Sequence, residues 1–117
     1  MKLFDRRRIA LDFDDTFTLN PTMWQHIVDL MIIEGDFDVR FVTFRYPTDN
    51  NSDIEFWANE LDIKVIYCGG VQKAQVCAEN GWTPDVWIDD MPILIPMKQQ
   101  LQGMILGIEK NEGKHEK

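Results

Sequence analysis

Ile9-Ala10-Leu11-Asp12-Phe13-Asp14-Asp15-Thr16-Phe17 is the stretch on which the reading of this 117-residue chain turns. Ile9, Ala10 and Leu11 form an apolar run that predicts a buried strand, in which residues i and i+2 share a face. Asp12 and Asp14 are therefore expected to emerge side by side where that strand leaves its sheet. Two carboxylates held that close repel unless a cation or a shared proton intervenes. A hydrophobic core gains nothing from them, so the pattern asks for a metal and for chemistry. An isolated Asp-x-Asp would serve equally as a polar strand end or a helix cap, and the rest of the chain decides between these.

At this length one domain is expected, burying roughly two thirds of the surface its unfolded chain exposes. A hydrophobic fraction of 44% against 27% charged residues is that of a soluble globular domain. The formal net charge of −8 argues against a broad nucleic-acid or anionic-membrane surface. Lys2 and Arg6 to Arg8 make the start basic, but the acids behind them exclude a signal-peptide core, and no apolar run reaches membrane-spanning length. Cys68 and Cys77 are too few for a disulfide framework and lack metal-ligand spacing, which predicts reduced core thiols in a cytoplasmic protein.

Beyond the acidic loop, strand and helix patterns alternate. Asn20-Pro21 offers a helix cap followed by a first-turn proline, and the helix is expected to run to about Glu34, with Gly35 as a left-handed stop. It is apolar over most of its circumference, which predicts that it lies under other elements. Val39 to Phe44 reads as a second strand with Thr43 at its end. Ser52-x-x-Glu55 reads as a capping box, and Ile54, Trp57, Ala58 and Leu61 follow at helical spacing. Ile63 to Tyr67 predicts a third strand closed by Gly69-Gly70. A helix over Val71 to Asn80, stopped by Gly81, carries Lys73 in its first turn. A fourth strand over Asp85 to Ile88 opens onto Asp89-Asp90. A short helical turn near Lys98 to Gln102 and a fifth, edge strand over Met104 to Ile108 are expected next, with residues 109–117 a loose charged tail.

This alternation argues for right-handed βαβ units and a mostly parallel sheet. Ligands bind such sheets beyond the carboxyl ends of the strands, where strand order reverses. Asp12, Asp14, Thr43, Lys73, Asp89 and Asp90 should all gather there. Singly, each has an ordinary structural explanation: Thr is common in strands, Lys on helix surfaces, and Asp in loops. Arg45 reads equally as a phosphate contact or a surface charge. His26 and His115 show no partner spacing, and neither a Ser/His/Asp order, a phosphate-cradling Gly-rich loop nor a zinc pattern is present.

The order Asp-Phe-Asp-Asp-Thr (Asp12 to Thr16), Thr43, Lys73 and Trp-Ile-Asp-Asp (Trp87 to Asp90) resembles the haloacid dehalogenase-like superfamily. The resemblance spans Ile9 to about Asp90. It implies an α/β, Rossmann-like three-layer sandwich with a mostly parallel sheet of about five strands (order 3-2-1-4-5), formed by residues 1–108. It also implies a Mg²⁺-dependent phosphatase. Asp12 would be the nucleophile that becomes an aspartyl-phosphate, and Asp14 the acid that protonates the leaving oxygen and later activates water. Thr43 and Lys73, with Arg45, would hold phosphoryl oxygens; Asp12, Asp14 (through its backbone carbonyl), Asp89 and Asp90 would bind the metal; Thr16 would brace the loop. Hard carboxylate donors suit Mg²⁺, and phosphoryl transfer mainly needs positioning and charge neutralisation.

Two departures from that family stand out. Asp15 occupies a position where many relatives carry Gly. There is also room only for core elements between Asp15 and Thr43 and between Thr43 and Lys73, so no cap domain is expected. An open site suits a nucleotide, a nucleic-acid terminal phosphate or a phosphoprotein, unless a second copy covers it as a homo-oligomer. Trp24, Trp57, Trp82 and Trp87 are core residues or, for one or two of them, a surface that stacks on a base. A response-regulator receiver is excluded by motif order, since its Lys follows its acidic pair on the last strand. The remaining rivals are a catalytically silent binding protein on the same fold and a phosphotransferase, for which no acceptor pocket is visible.

Overall fold

The structure, a computed structural model, describes residues 6–96. Their order is β1 (Arg8–Leu11), α1 (Pro21–Ile33), β2 (Asp38–Thr43), α2 (Ser52–Leu61), β3 (Lys64–Tyr67), α3 (Lys73–Glu79) and β4 (Val86–Ile88), with 3₁₀ turns at Phe17–Leu19 and Pro92–Leu94. The strands form one parallel sheet in the order β3-β2-β1-β4. The expected helical turn over residues 98–102, the fifth strand over 104–108 and the tail lie outside the described residues.

Alternation along the strands sorts the core. Ile9, Leu11, Val39 and Phe41 pack with Val28 of α1 and with Ile54, Ala58 and Leu61 of α2. Ala10, Val42 and Ile66 join Cys77 of α3 and Trp82 in a separate cluster. One strand residue faces one cluster and its neighbour the other, as the period of two requires. Phe13 and Phe17 leave the strand but return to the first cluster, with Phe41 edge-on to both at centroid separations of 5.1 and 5.0 Å. These rings pin the acidic loop between them to the core, each such pair adding about 1 kcal/mol beyond burial.

Several local expectations need correction. The Ser52/Glu55 capping box does not form: Asn51 is the cap residue, Ser52 Oγ donates to Asn50 Oδ1, and Glu55 accepts from the Tyr67 hydroxyl at 2.7 Å. Gly35 is not the left-handed stop; Asp36 takes that conformation (φ 55°). Gly35 is required by contact instead, since a Cβ there would lie 2.6 Å from the Phe37 ring. Nor does α1 lie under other elements all round. Val28 is its one fully buried residue, while Leu30 and Ile33 are 60% and 77% exposed. A helix lying on a sheet covers it with a single stripe, and among the described residues only β2, α2 and the turn before it meet that stripe in bulk. Asn20 does cap α1, its Oδ1 accepting from Met23 N, with Pro21 following. Gly69 and Gly70 close β3 and Gly81 follows α3 as expected, and all three are left-handed, with φ of 58°, 78° and 69°.

No helix among the described residues is long and apolar enough to cross a membrane. The topology matters most at β1. The chain steps from β1 to β2 to β3 in one direction and then returns to place β4 on the other side of β1. The carboxyl ends of β1 and β4 therefore flank the reversal in strand order, where parallel sheets leave a crevice.

Candidate active site

Leu11 pairs with Ile88 across this reversal, and Asp12 N donates to Ile88 O at 2.9 Å, so Asp12 and Asp89 leave adjacent strands at the same level. Oxygens of Asp12, Asp89 and Asp90 all lie within 4.8 Å of one another. Lys73, the first residue of α3, reaches between two of them, its Nζ donating to Asp12 Oδ1 at 2.8 Å and to Asp89 Oδ2 at 2.5 Å. Lys73 and Asp12 are both buried. Thr16 Oγ1 donates to Asp12 Oδ2 at 3.0 Å and lies 3.4 Å from Asp90 Oδ1, tying the loop to the end of β4.

The electrostatics follow from three clustered acids, two of which share one buried ammonium. Burial, and then the hydrogen bond to Asp90, push the Asp12 carboxyl up to about 6, with Lys73 opposing them. Burial works against a charged Lys73, but its hydrogen bonds to Asp12 and Asp89 and their charges outweigh it and hold the ammonium above lysine's ordinary range. Both partners move upward, Asp12 chiefly by burial and Lys73 by its two acidic partners. Three carboxylates against one ammonium leave an excess of two negative charges, which a divalent cation would neutralise.

The two acids of Asp12-x-Asp14 border one cavity of about 130 Å³, together with Lys73, Asp89 and Asp90. They do not share partners, however. Asp12 turns inward to Lys73, whereas Asp14, half-exposed, is held by Arg45 through both oxygens: Nε to Oδ2 at 2.9 Å and one terminal nitrogen to Oδ1 at 2.7 Å. The side-by-side expectation assumed that the strand continues through Asp14. It ends at Leu11, and the chain turns beneath the acids so that Phe13 can bury.

Thr43 is buried at the end of β2, its Oγ1 accepting from Arg45 N at 3.3 Å, and it is not among the residues bordering the cavity. Arg45 is likewise absent from that lining and also pairs with Asp53 of α2. Asp53 was not singled out by sequence; an acid in a first helical turn is commonplace, and nothing local marks it. A wider groove of about 360 Å³ adjoins the acids, walled by Leu19, Met23, Trp24 and Ile88. Of the four tryptophans, Trp82 is core, while Trp24, Trp57 and Trp87 are half-buried against the clusters. A third cavity of about 290 Å³ lies at the opposite, amino ends of the strands, away from these acids. His26 is exposed on α1.

Comparison with family models, with curated proteins and with solved structures finds no match to this chain. Three hard oxygen donors, a buried ammonium and a further carboxylate meet at the reversal in strand order. Such a set can hold a divalent cation and an anionic group beside it.

Proposed function

We propose that this chain is a Mg²⁺-dependent phosphomonoester hydrolase that works through an aspartyl-phosphate on Asp12. The observation that carries the reading is Lys73 bridging Asp12 and Asp89 while Asp90 completes a cluster within 4.8 Å. The donor set fits Mg²⁺: the carboxylates of Asp12, Asp89 and Asp90 would hold it, with the backbone carbonyl of Asp14 and water completing the shell. When bound, the cation supplies charge neutralisation between the nucleophile and the phosphate dianion.

The residues then divide the work. A carboxylate oxygen of Asp12 attacks phosphorus while the bond to the leaving oxygen breaks. Asp14 gives its proton to that oxygen. In the second half, Asp14 takes a proton from water, whose oxygen attacks phosphorus and frees Asp12 and inorganic phosphate. Lys73 orients Asp12 and supplies positive charge to the phosphoryl oxygens. Thr16 fixes the oxygen of Asp12 that does not face Lys73.

The substrate class follows from the walls. Between Asp15 and Thr43, and between Thr43 and Lys73, the described residues form only core elements and short turns, so neither segment inserts a cap over the site. The groove beside the acids presents Trp24, Met23 and Leu19, which favours a flat, partly apolar leaving group such as a nucleoside over a phosphoprotein segment. In this reading the fold is a five-stranded, Rossmann-like three-layer sandwich over residues 1–108. Residues 104–108 would be its last strand, on the edge of β4 that pairs with nothing among the described residues. The compartment is the cytoplasm, in keeping with the free, buried Cys68 and Cys77.

Hydrolysis of p-nitrophenyl phosphate in Mg²⁺ or EDTA, for the native chain beside Asp12→Asn, tests the reading. Turnover that requires Mg²⁺ and falls by about a thousandfold or more in the variant is expected. Equal activity in Asp12→Asn would remove Asp12 as nucleophile, and absence of turnover on this ester and on a nucleoside monophosphate panel would remove the phosphatase reading.

A further inference from the structure

Arg45 is a fully engaged cation. Its Nε and one terminal nitrogen donate to the two oxygens of Asp14 at 2.9 and 2.7 Å. Its two terminal nitrogens donate to the two oxygens of Asp53 at 2.7 and 3.0 Å. The remaining N–H lies 3.5 Å from Asn51 Oδ1. A guanidinium has five N–H donors, and here every one is directed at a protein oxygen. The group also lies over the Phe13 ring, 5.3 Å from its centroid, and only 19% of the side chain is exposed. Binding a phosphoryl oxygen would require one of these contacts to open.

We propose that Asp53 and Arg45 form a brace that sets the orientation of Asp14, making Arg45 a positioning residue and not a phosphate ligand. The inference rests on the phosphatase reading for its catalytic consequence, but the brace itself stands on geometry. Asp53 belongs to the first turn of α2, Arg45 follows β2, and Asp14 lies in the loop after β1, so the brace ties three elements around the acid. Two fork-to-fork pairs on adjacent edges of one planar group leave Asp14 little rotational freedom. The hydrogen bond from Arg45 holds the Asp53 carboxyl below its ordinary range, and the bonds to Asp53 and Asp14 hold the Arg45 guanidinium above its own.

Asp53→Ala separates this role from substrate binding, because Asp53 is largely exposed and does not border the cavity. An alkyl phosphate needs its leaving oxygen protonated, whereas p-nitrophenolate departs without help. Asp53→Ala should therefore lower kcat/KM, which reports only the steps up to departure of the leaving group, by about tenfold or more on an alkyl phosphate, while kcat/KM on p-nitrophenyl phosphate changes less than about threefold and inhibition by inorganic phosphate is unaltered. In an Asp14→Asn background the same substitution should change nothing further. Equal losses on both esters, or weakened phosphate inhibition, would overturn the brace and return Arg45 to phosphate binding.

Solvent exchange of the Arg45 Nε proton, followed by NMR on the unliganded protein, decides the brace independently of turnover. Exchange faster by about tenfold in Asp53→Ala supports it, since that proton is the one given to Asp14; an unchanged rate overturns it. A chain inactive on every ester but showing this acceleration would lose the phosphatase reading and keep the brace.

Discussion

Asp15 carries two liabilities at once. Its backbone is left-handed (φ 59°), and its carboxyl adds charge beside Asp12, Asp89 and Asp90. The donation from Asp15 N to Thr18 Oγ1 at 2.9 Å helps hold the turn. Asp tolerates this conformation better than most residues but less well than Gly. Asp15→Gly is expected to raise the melting temperature of the cation-free protein, by about 0.5–1 kcal/mol in stability, and a fall in differential scanning fluorimetry would contradict the strain argument. Asp12 makes a second case. Its carboxyl is raised to about 6, so in EDTA its contribution to stability is fully present below its unfolded value and is lost as pH rises through about 6. Above that pH the ionised group is the form that would bind the proposed cation. The gain in melting temperature from Mg²⁺ should therefore widen between about pH 5 and about pH 8, and the widening should shrink in Asp12→Asn. A gain independent of pH would exclude Asp12 as a ligand.

Among the elements, the loop after β1 depends on the rings that alternate with its acids. Phe13 is 1% exposed and stacks at 5.6 Å from Phe17, beneath the Arg45 guanidinium. Phe13→Ala should cost about 3–5 kcal/mol, read by urea denaturation, and should lower activity more than any other core truncation distant from the acids. A cost under about 1 kcal/mol would mean that the loop is held by its polar contacts alone. On the other side of the sheet, Cys68 and Cys77 are pushed up by burial to about 12 and about 11. They remain protonated at neutral pH and act as small apolar residues.

For the whole molecule, the decisive feature is the return of the chain to place β4 beside β1. That single reversal brings residues 61 and 77 positions apart into contact: Lys73 with Asp12, and the Asp85 carboxylate with Arg8 N. It also concentrates negative charge at one end of a chain whose net charge is already −8. A cation that binds only the folded site stabilises by mass action, about 2.7 kcal/mol at a hundredfold excess over its Kd. The melting temperature should accordingly climb with the logarithm of Mg²⁺ concentration, and Asp89→Asn should flatten that climb.

How much of this was legible in the sequence depends on the range of the interaction. Strand and helix periods, the Asn20-Pro21 start, the turns at Gly69-Gly70 and Gly81 and the placement of Asp12, Lys73 and Asp89 at element ends are local, and the chain's own spacing determined them. So did the parallel sheet, since alternating strand and helix patterns leave few other ways to bury both kinds of face. The tertiary structure alone decided that Asp14 faces Arg45 while Asp12 faces Lys73, that Asp53 of α2 closes the brace, and that α1 leaves Leu30 and Ile33 in the open. Sequence spacing records which residues share a face. It does not record which side chain from a distant element arrives there, because that choice is made by packing when the strands dock.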